Sequence, residues 1–393
     1  MIPDSERTNA MRHQNTVFHS LLKHVPWSRF ERLVETHEAD KGVRTLSTKD
    51  QFVALLYAQF SGASTLREIV TALQSHESRL YHLGAHGVKR STLADANASR
   101  PSAVFGELLA HMIACVHPGL RKKLEETVYL IDSTSLHLTS RSEWALFSAK
   151  VCGAKMHMIY DPDADHPIYA AVTTANVNDV VVAKAMPIEK GATYVYDLGY
   201  YDYGWWAELA EAGCRIVTRF KKNTPLTVIQ ELALPEGSPV LSDRIGRLPA
   251  RQAKNRKNPF GDPVREVRVA TDTGKELRIL TNDLDAPAEE IANLYKRRWA
   301  IELFFRWVKQ TLKITHLIGT SENAVKIQIA VALIAFLILR LAHAAAKLTH
   351  SPLTFARLVR INLMHRRTFH RLLGPDPPVL DNPLQFLMQC CAQ

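Results

Sequence analysis

The sequence predicts a mixed α/β sheet preceded by an all-helical unit and interrupted by a β-rich insertion. Three observations carry that reading. Apolar residues recur at helical spacing through the first hundred positions, and at Thr127 the pattern switches to short apolar runs. From Thr127 to Phe220 the order is strand, hairpin, helix, strand, helix, strand, which suits a sheet with both antiparallel and parallel neighbours. Residues 221–285 then break the rhythm with prolines, glycines and a hairpin pattern before helices resume.

The elements follow in chain order. Ser47-Thr48-Lys49-Asp50 is a helix-capping pattern, followed by Phe52, Leu55, Leu56 and Phe60 at helical spacing. Ser64 opens a second helix through Leu66, Ile69, Val70 and Leu73. This pair is compatible with a helix-turn-helix and equally with plain bundle packing. Thr127 to Asp132 reads as an apolar strand ending at a carboxylate, and Thr193 to Asp197 repeats that pattern. Between them, Lys155–Tyr160 and Ile168–Thr174 flank the turn-rich Asp161–Pro167, and Asn178-Asp179 can cap a short helix. A helix from Tyr203 to Ala212 and a strand from Arg215 to Phe220 complete the first part of the sheet.

In the insertion, Val264–Ala270 pairs with Glu276–Thr281 across Asp272-Thr-Gly-Lys275. One long helix is expected from Pro287 to about Leu312, and a very apolar one from Ala324 to Lys347. The organisation expected is therefore a helical unit at 1–105, a core at 106–220 and 286–348, an insertion at 221–285 and a basic tail at 349–393.

Composition narrows the function. The 393 residues carry 49 Lys and Arg against 39 Asp and Glu, a net charge of +10 that suggests a polyanionic partner, nucleic acid first. The five cysteines show no C-x-x-C pair, which fits reduced thiols in a cytoplasm. Met1 to Gln14 is polar, so no secretory signal is expected there. The most apolar run, Ile329 to Leu339, has eleven residues where about 20 are needed to cross a bilayer, so a buried helix and no membrane partner are expected. Between Arg244 and Arg268 lie eight basic residues and two acids, either a solvated loop or a phosphate-tracking surface.

The chemistry-bearing residues sit on the long helix and on the two carboxylate-ended strands. On a helical wheel Tyr295, Arg298, Glu302 and Lys309 fall within roughly 60° of one another, at the border of an apolar arc. A surface ladder of ion pairs such as Arg298 with Glu302 would have the same pattern. Asp132 and Asp197, however, each end an apolar strand, and Glu302 on a helix across the sheet can complete a triad. Three carboxylates so close repel unless cations neutralise them. Two Mg²⁺ ions (with Mn²⁺ as a substitute) are the natural solution, because hard cations take oxygen ligands and bridge substrate phosphates. Other positions weigh less. Asp161-x-Asp163-x-Asp165 imitates the start of a calcium loop but has His166 where Gly is needed, so turn chemistry explains it. Lys155 and His157 can face the cleft or simply fill the sheet. Asp179 and Asp202 can stand behind the acids or cap helices.

The spacing Tyr295-x2-Arg298-x3-Glu302-x6-Lys309 resembles the Tyr-Arg-Glu-Lys signature of the bacterial insertion-sequence-four family of DDE transposases. Asp132 in Tyr-Leu-Ile-Asp-Ser-Thr resembles that family's first catalytic motif and Asp197-Leu-Gly-Tyr-Tyr-Asp202 its second. A weaker match to a subgroup's helical N-terminal domain rests on Met11-Arg-His-Gln-Asn15 and Ser91-Thr-Leu-Ala-Asp-Ala-Asn97. The resemblance implies a ribonuclease-H-like core with a β-rich insertion between the second Asp and the Glu, and here these are 105 positions apart.

It implies a nucleoid-associated DNA transposase that binds terminal inverted repeats and target DNA, working as a homodimer on DNA. By the same resemblance, Asp132, Asp197 and Glu302 are catalytic metal ligands, while Tyr295, Arg298 and Lys309 hold the transposon-end backbone. A nuclease without strand transfer and a transposase-derived repressor are the alternatives. Relatives use an insertion-domain tryptophan to stack on a flipped base. No tryptophan lies between 207 and 298, and core packing is expected for at least one of Trp205 and Trp206.

Overall fold

A computed structural model describes residues 15–120, 127–148, 151–251, 257–271, 274–312, 314 and 317–373. Met11 to Gln14, Lys254, Arg256, Asp272 and the Pro-rich end lie outside the described residues.

Helices α1 (Val17–Leu22), α2 (Trp27–Thr36), α3 (Thr48–Ser61), α4 (Leu66–Ser75), α5 (Glu77–Leu80), α6 (Arg90–Ser99) and α7 (Ser102–Leu120) come first. The capping box is present: Ser47 Oγ accepts from the Asp50 amide and the Asp50 carboxylate accepts from the Ser47 amide, which satisfies two otherwise orphaned donors. The second helix starts one residue later than expected, capped by Thr65. Almost every residue of α3 is buried. That burial leaves α3 no solvated side, and it packs on two helices from the far end of the chain, α12 (Glu322–Ala345) and α13 (Pro352–Asn362).

Among the described residues ten strands form one sheet. They are β1 (Val128–Leu138), β2 (Leu146–Ser148), β3 (Val151–Asp161), β4 (His166–Thr174), β5 (Thr193–Tyr196), β6 (Arg215–Arg219), β7 (Thr227–Glu231), β8 (Val240–Arg247), β9 (Val264–Ala270) and β10 (Glu276–Thr281). The order is β2-β3-β1-β5-β6-β10-β9-β8-β7, with β4 on β3. Within it, β4, β3 and β1 are antiparallel neighbours, and β1, β5 and β6 run parallel. Three antiparallel strands passing into two parallel ones is the ribonuclease-H-like arrangement. Short helices α8 (Asp179–Ala183) and α9 (Tyr203–Glu211) supply the crossovers that parallel strands require. The insertion continues the same sheet: β10 pairs antiparallel with β6, and β9, β8 and β7 follow outwards.

Strand alternation sorts the core into two layers. Leu130, Leu136, Met156, Met158, Val195 and Val217 pack with the N-terminal helices and α12. Tyr129, Ile131, Ile159, Tyr194 and Tyr196 pack on the other face with Trp205 and Trp206 of α9. Each fully buried Leu, Ile or Val of α12 contributes roughly 1.5–3 kcal/mol. The helix is long and apolar enough to cross a membrane, yet 83% of its most apolar window is buried inside the protein.

One expected element is different. The helix over 287–312 is two helices, α10 (Ala288–Arg297) and α11 (Trp299–Thr311), broken at Arg298. There the hydrogen bonds tighten: the Arg298 amide donates to the Tyr295 carbonyl and the Ile301 amide to the Arg298 carbonyl, three residues back in each case.

Candidate active site

Asp132 lies inside β1, not at its end. The strand runs on to Leu138 because β3 pairs with it all the way, from Leu130 opposite Tyr160 to Leu138 opposite Cys152. The other neighbour, β5, stops at Tyr196, whose register partner is Ile131. Asp132 is therefore the first residue of β1 beyond the parallel pairing, and Asp197 is the first residue beyond β5. Neighbouring strands are about 4.8 Å apart, so the two carboxylates stand side by side at the edge where the sheet opens. Each is held by a nearby backbone amide: the Ser133 amide donates to Asp132 Oδ1 at 2.8 Å, and the Gly199 amide, two residues on, to Asp197 Oδ1 at 2.8 Å.

Glu302, in the first turn of α11, reaches the site through Arg298. One arm of that guanidinium is 2.5 Å from Glu302 Oε1 and the other 3.6 Å from Asp132 Oδ2. The Arg298 guanidinium lies 5.7 Å from the centre of the buried Tyr295 ring. Burial opposes the guanidinium charge, but Tyr295, Glu302 and Asp132 outweigh it and raise the pKa. Burial also raises the Tyr295 hydroxyl, against the pull of Arg298 and Arg219.

The Asp132 carboxyl is pushed up to about 7, by burial first and then by the charges of Asp197 and Glu302, against the opposing Ser133 amide and Arg298. Its neighbourhood is thus short of positive charge even with Arg298 in place. Asp132, Glu302 and Lys309 line one cleft of about 320 Å³, together with Ser133, Thr134, Phe305, Arg306 and Gln310. Lys309 is half-buried, and burial lowers its pKa.

The donor chemistry fits a hard divalent ion: three carboxylates, one of them charge-starved. As placed, no group of three His, Cys, Asp or Glu among the described residues is close enough to hold one. Arg298 fills the gap between Asp132 and Glu302 instead. An ion shared by all three acids requires Arg298 to withdraw.

The remaining expectations divide. Asp161 Oδ1 accepts from the Asp163 and Ala164 amides, while Asp163 pairs with Arg297 and Asp165 with Arg340, so these three acids serve a turn and its anchors. Asp202 caps α9 and pairs with Lys184. Asp179 does not cap α8; Asn178 does. Trp205 and Trp206 are core residues. In the insertion, Arg244 pairs with Glu231, Arg265 with Asp243, and Arg268 with Glu266 and Glu276.

Arg306 is a cleft residue that the motif did not single out. It follows Glu302 by one turn, on the same face, and its guanidinium lies 6.0 Å from the ring centre of the exposed Trp299.

Residues 123–338 match the family described as the transposase DDE domain, and residues 13–86 match a domain of unknown function, DUF4372. A Sinorhizobium fredii protein designated transposase y4zB is 40% identical over 289 residues, covering 72% of this chain and 80% of the relative. A Geobacillus stearothermophilus protein designated a transposase for insertion sequence element IS5377 is 30% identical over 324 residues, covering 78% of this chain and 84% of its own. A solved piggyBac transposase synaptic complex with hairpin DNA covers 97% of this chain and 86% of that one at 11% identity and a TM-score of 0.47, a likeness too slight to bear on function. With more than half of its length inside the family and two such relatives nearly spanned, the chain belongs to the DDE transposases of bacterial insertion sequences.

Proposed function

We propose that this transposase belongs to the insertion-sequence-four family, binds the terminal inverted repeats of its own element, and catalyses divalent-metal-dependent strand cleavage and strand transfer. The observation that carries this reading is the Asp132 carboxyl, half-buried near two other acids at the mouth of the parallel strands and facing a cleft with a half-buried lysine. Asp132, Asp197 and Glu302 would hold Mg²⁺, or Mn²⁺ in its place. Two such ions, when bound, supply an activated water and stabilise the attacking and leaving oxygens of an in-line displacement.

The chain's own residues do the positioning. The backbone amides of Ser133 and Gly199 aim the two aspartates. Arg298, released from Glu302, turns to a phosphate of the transposon end, for which its fork geometry is suited. Lys309 is already partly stripped of water and gains more from a phosphate than an exposed lysine does. Tyr295 backs Arg298 and limits where its guanidinium can go.

On this reading residues 1–105 serve end binding, the core at 106–220 and 286–348 carries the chemistry, and the protein acts on target DNA as a homodimer in the cytoplasm. Incubating the protein with DNA from the element's ends and Mg²⁺ tests it. Nicked ends with joined products support it, nicks alone leave a nuclease, and binding without any metal-dependent nick leaves a repressor.

A further inference from the structure

Behind the aspartates, on the opposite face of β1, lies a second polar cluster that the proposed mechanism does not use. Asp179 Oδ1 accepts from Ser133 Oγ at 2.8 Å, lies 3.1 Å from Lys155 Nζ and is 3.4 Å from His157 Nδ1. Lys155 Nζ also donates to the Val177 carbonyl at 3.0 Å, strapping the segment before α8 to β3. His157 is wholly buried, and its other ring nitrogen is 2.8 Å from Thr173 Oγ1. The second Asp179 oxygen looks the other way, to the turn after β5. A Cβ at Gly199 would lie 3.3 Å from Asp179 Oδ2 and 3.0 Å from Asp197 Oδ1, so only glycine leaves that space open.

The two contacts meet the same two residues whose amides hold the aspartates. Ser133 uses its amide on Asp132 and its hydroxyl on Asp179. Gly199 uses its amide on Asp197 and presents its bare Cα to Asp179. An ordinary explanation, helix capping, is taken by Asn178, whose side chain accepts from the Val180 amide. A carboxylate placed there for packing alone would not need a lysine, a hydroxyl and a histidine converging on one oxygen.

We propose that Asp179 is a positioning residue: through Ser133 on one side and Gly199 on the other it sets the spacing between Asp132 and Asp197, and so the affinity of the site for its divalent ion. The inference rests on the metal-holding role of those aspartates. Groups behind metal ligands commonly change metal affinity about 10–100-fold when removed.

The test is Mn²⁺ binding to the full-length protein, read from the free-ion electron paramagnetic resonance signal without DNA or turnover. Asp179→Asn should weaken Mn²⁺ binding by about 10-fold, with Ser133→Ala weaker in the same direction. Metal-free binding of end DNA should stay within about twofold of wild type. Asp179→Glu, which keeps the charge but shifts the oxygens, should not restore affinity. If Asp179→Asn does not fold, Ser133→Ala alone decides. Mn²⁺ affinity within about twofold of wild type in the folded variants overturns the inference while leaving the catalytic reading intact. A wild-type protein that takes no Mn²⁺, or an Asp132→Asn variant that binds it as tightly as wild type, overturns the catalytic reading and this inference with it.

Discussion

Two arginine-rich regions of this molecule behave oppositely, and the difference lies in how their charges balance. In the insertion Arg244, Arg265, Arg268 and Arg278 are all matched by acids. Arg265 makes a two-armed pair with Asp243, both buried, and Glu266 is shared by Arg268 and Arg278. At the α10–α11 junction the balance fails in both directions: Arg298 serves two acids with a third beside them, while Lys309 pairs with none among the described residues. Matched charges hold strands together. Unmatched charges of both signs, kept in one cleft, are what a phosphate backbone and its counter-ions would complete.

The largest expected effect lies on the structural side. Asp243→Ala leaves the Arg265 guanidinium buried and unpaired, and should cost about 3–5 kcal/mol of stability by thermal or denaturant unfolding. A loss below about 1 kcal/mol would show that the pair is solvated after all.

Next come Asp132→Asn, Asp197→Asn and Glu302→Gln. Each should lower end cleavage by about 10²–10³-fold or more while end binding changes little, as seen in single-turnover and gel-shift assays. Near-normal cleavage by any one variant removes that residue from the site.

The third prediction concerns pH. The folded Asp132 carboxyl titrates near 7, above its ordinary value of 3.8, so it takes up a proton on folding across that window. Its contribution to stability is full below about pH 4 and is lost as pH rises through about 7, by on the order of 4 kcal/mol. Asp132→Asn should flatten that slope in unfolding experiments between pH 5 and pH 8, and Mg²⁺ should stabilise wild type more than the variant. Identical slopes would mean that the carboxyl is not charge-starved.

The smallest effect is expected from Lys309→Ala: end binding weaker by about 3–10-fold and a salt slope reduced by about 1. An unchanged slope would mean that Lys309 meets no phosphate.

Legibility in the sequence followed the range of the interaction. The capping box at Ser47 and Asp50 spans three residues and was readable on sight. So were the strands leading to Asp132 and Asp197, because alternation and turn residues are local signals. The end of β1 was not readable, since its length is set by β3 through pairing with a remote segment. Nothing at Arg298 announced the break between α10 and α11, for no Gly or Pro stands there. The insertion's arginines could be read from sequence as a solvated loop or a phosphate-tracking surface, because acids such as Asp243, which pairs with Arg265, are supplied across strands. For Asp179 the sequence leaves two readings open, a helix cap or a group behind the acids; Asn178 takes the cap, and Asp179 lies against Ser133 and Gly199.

What the amino-acid order alone determined, then, was the kind of fold, the succession of its elements and which acids stand at the mouth of the sheet. Those depend on periodicity and on neighbours a few positions away. Tertiary structure alone decided that Arg298 stands between Asp132 and Glu302, which arginines are neutralised, and that the Asp179 carboxylate lies against both aspartate segments. Such facts depend on distances between groups far apart in the chain, and electrostatic energy follows distance in space, which sequence separation does not encode.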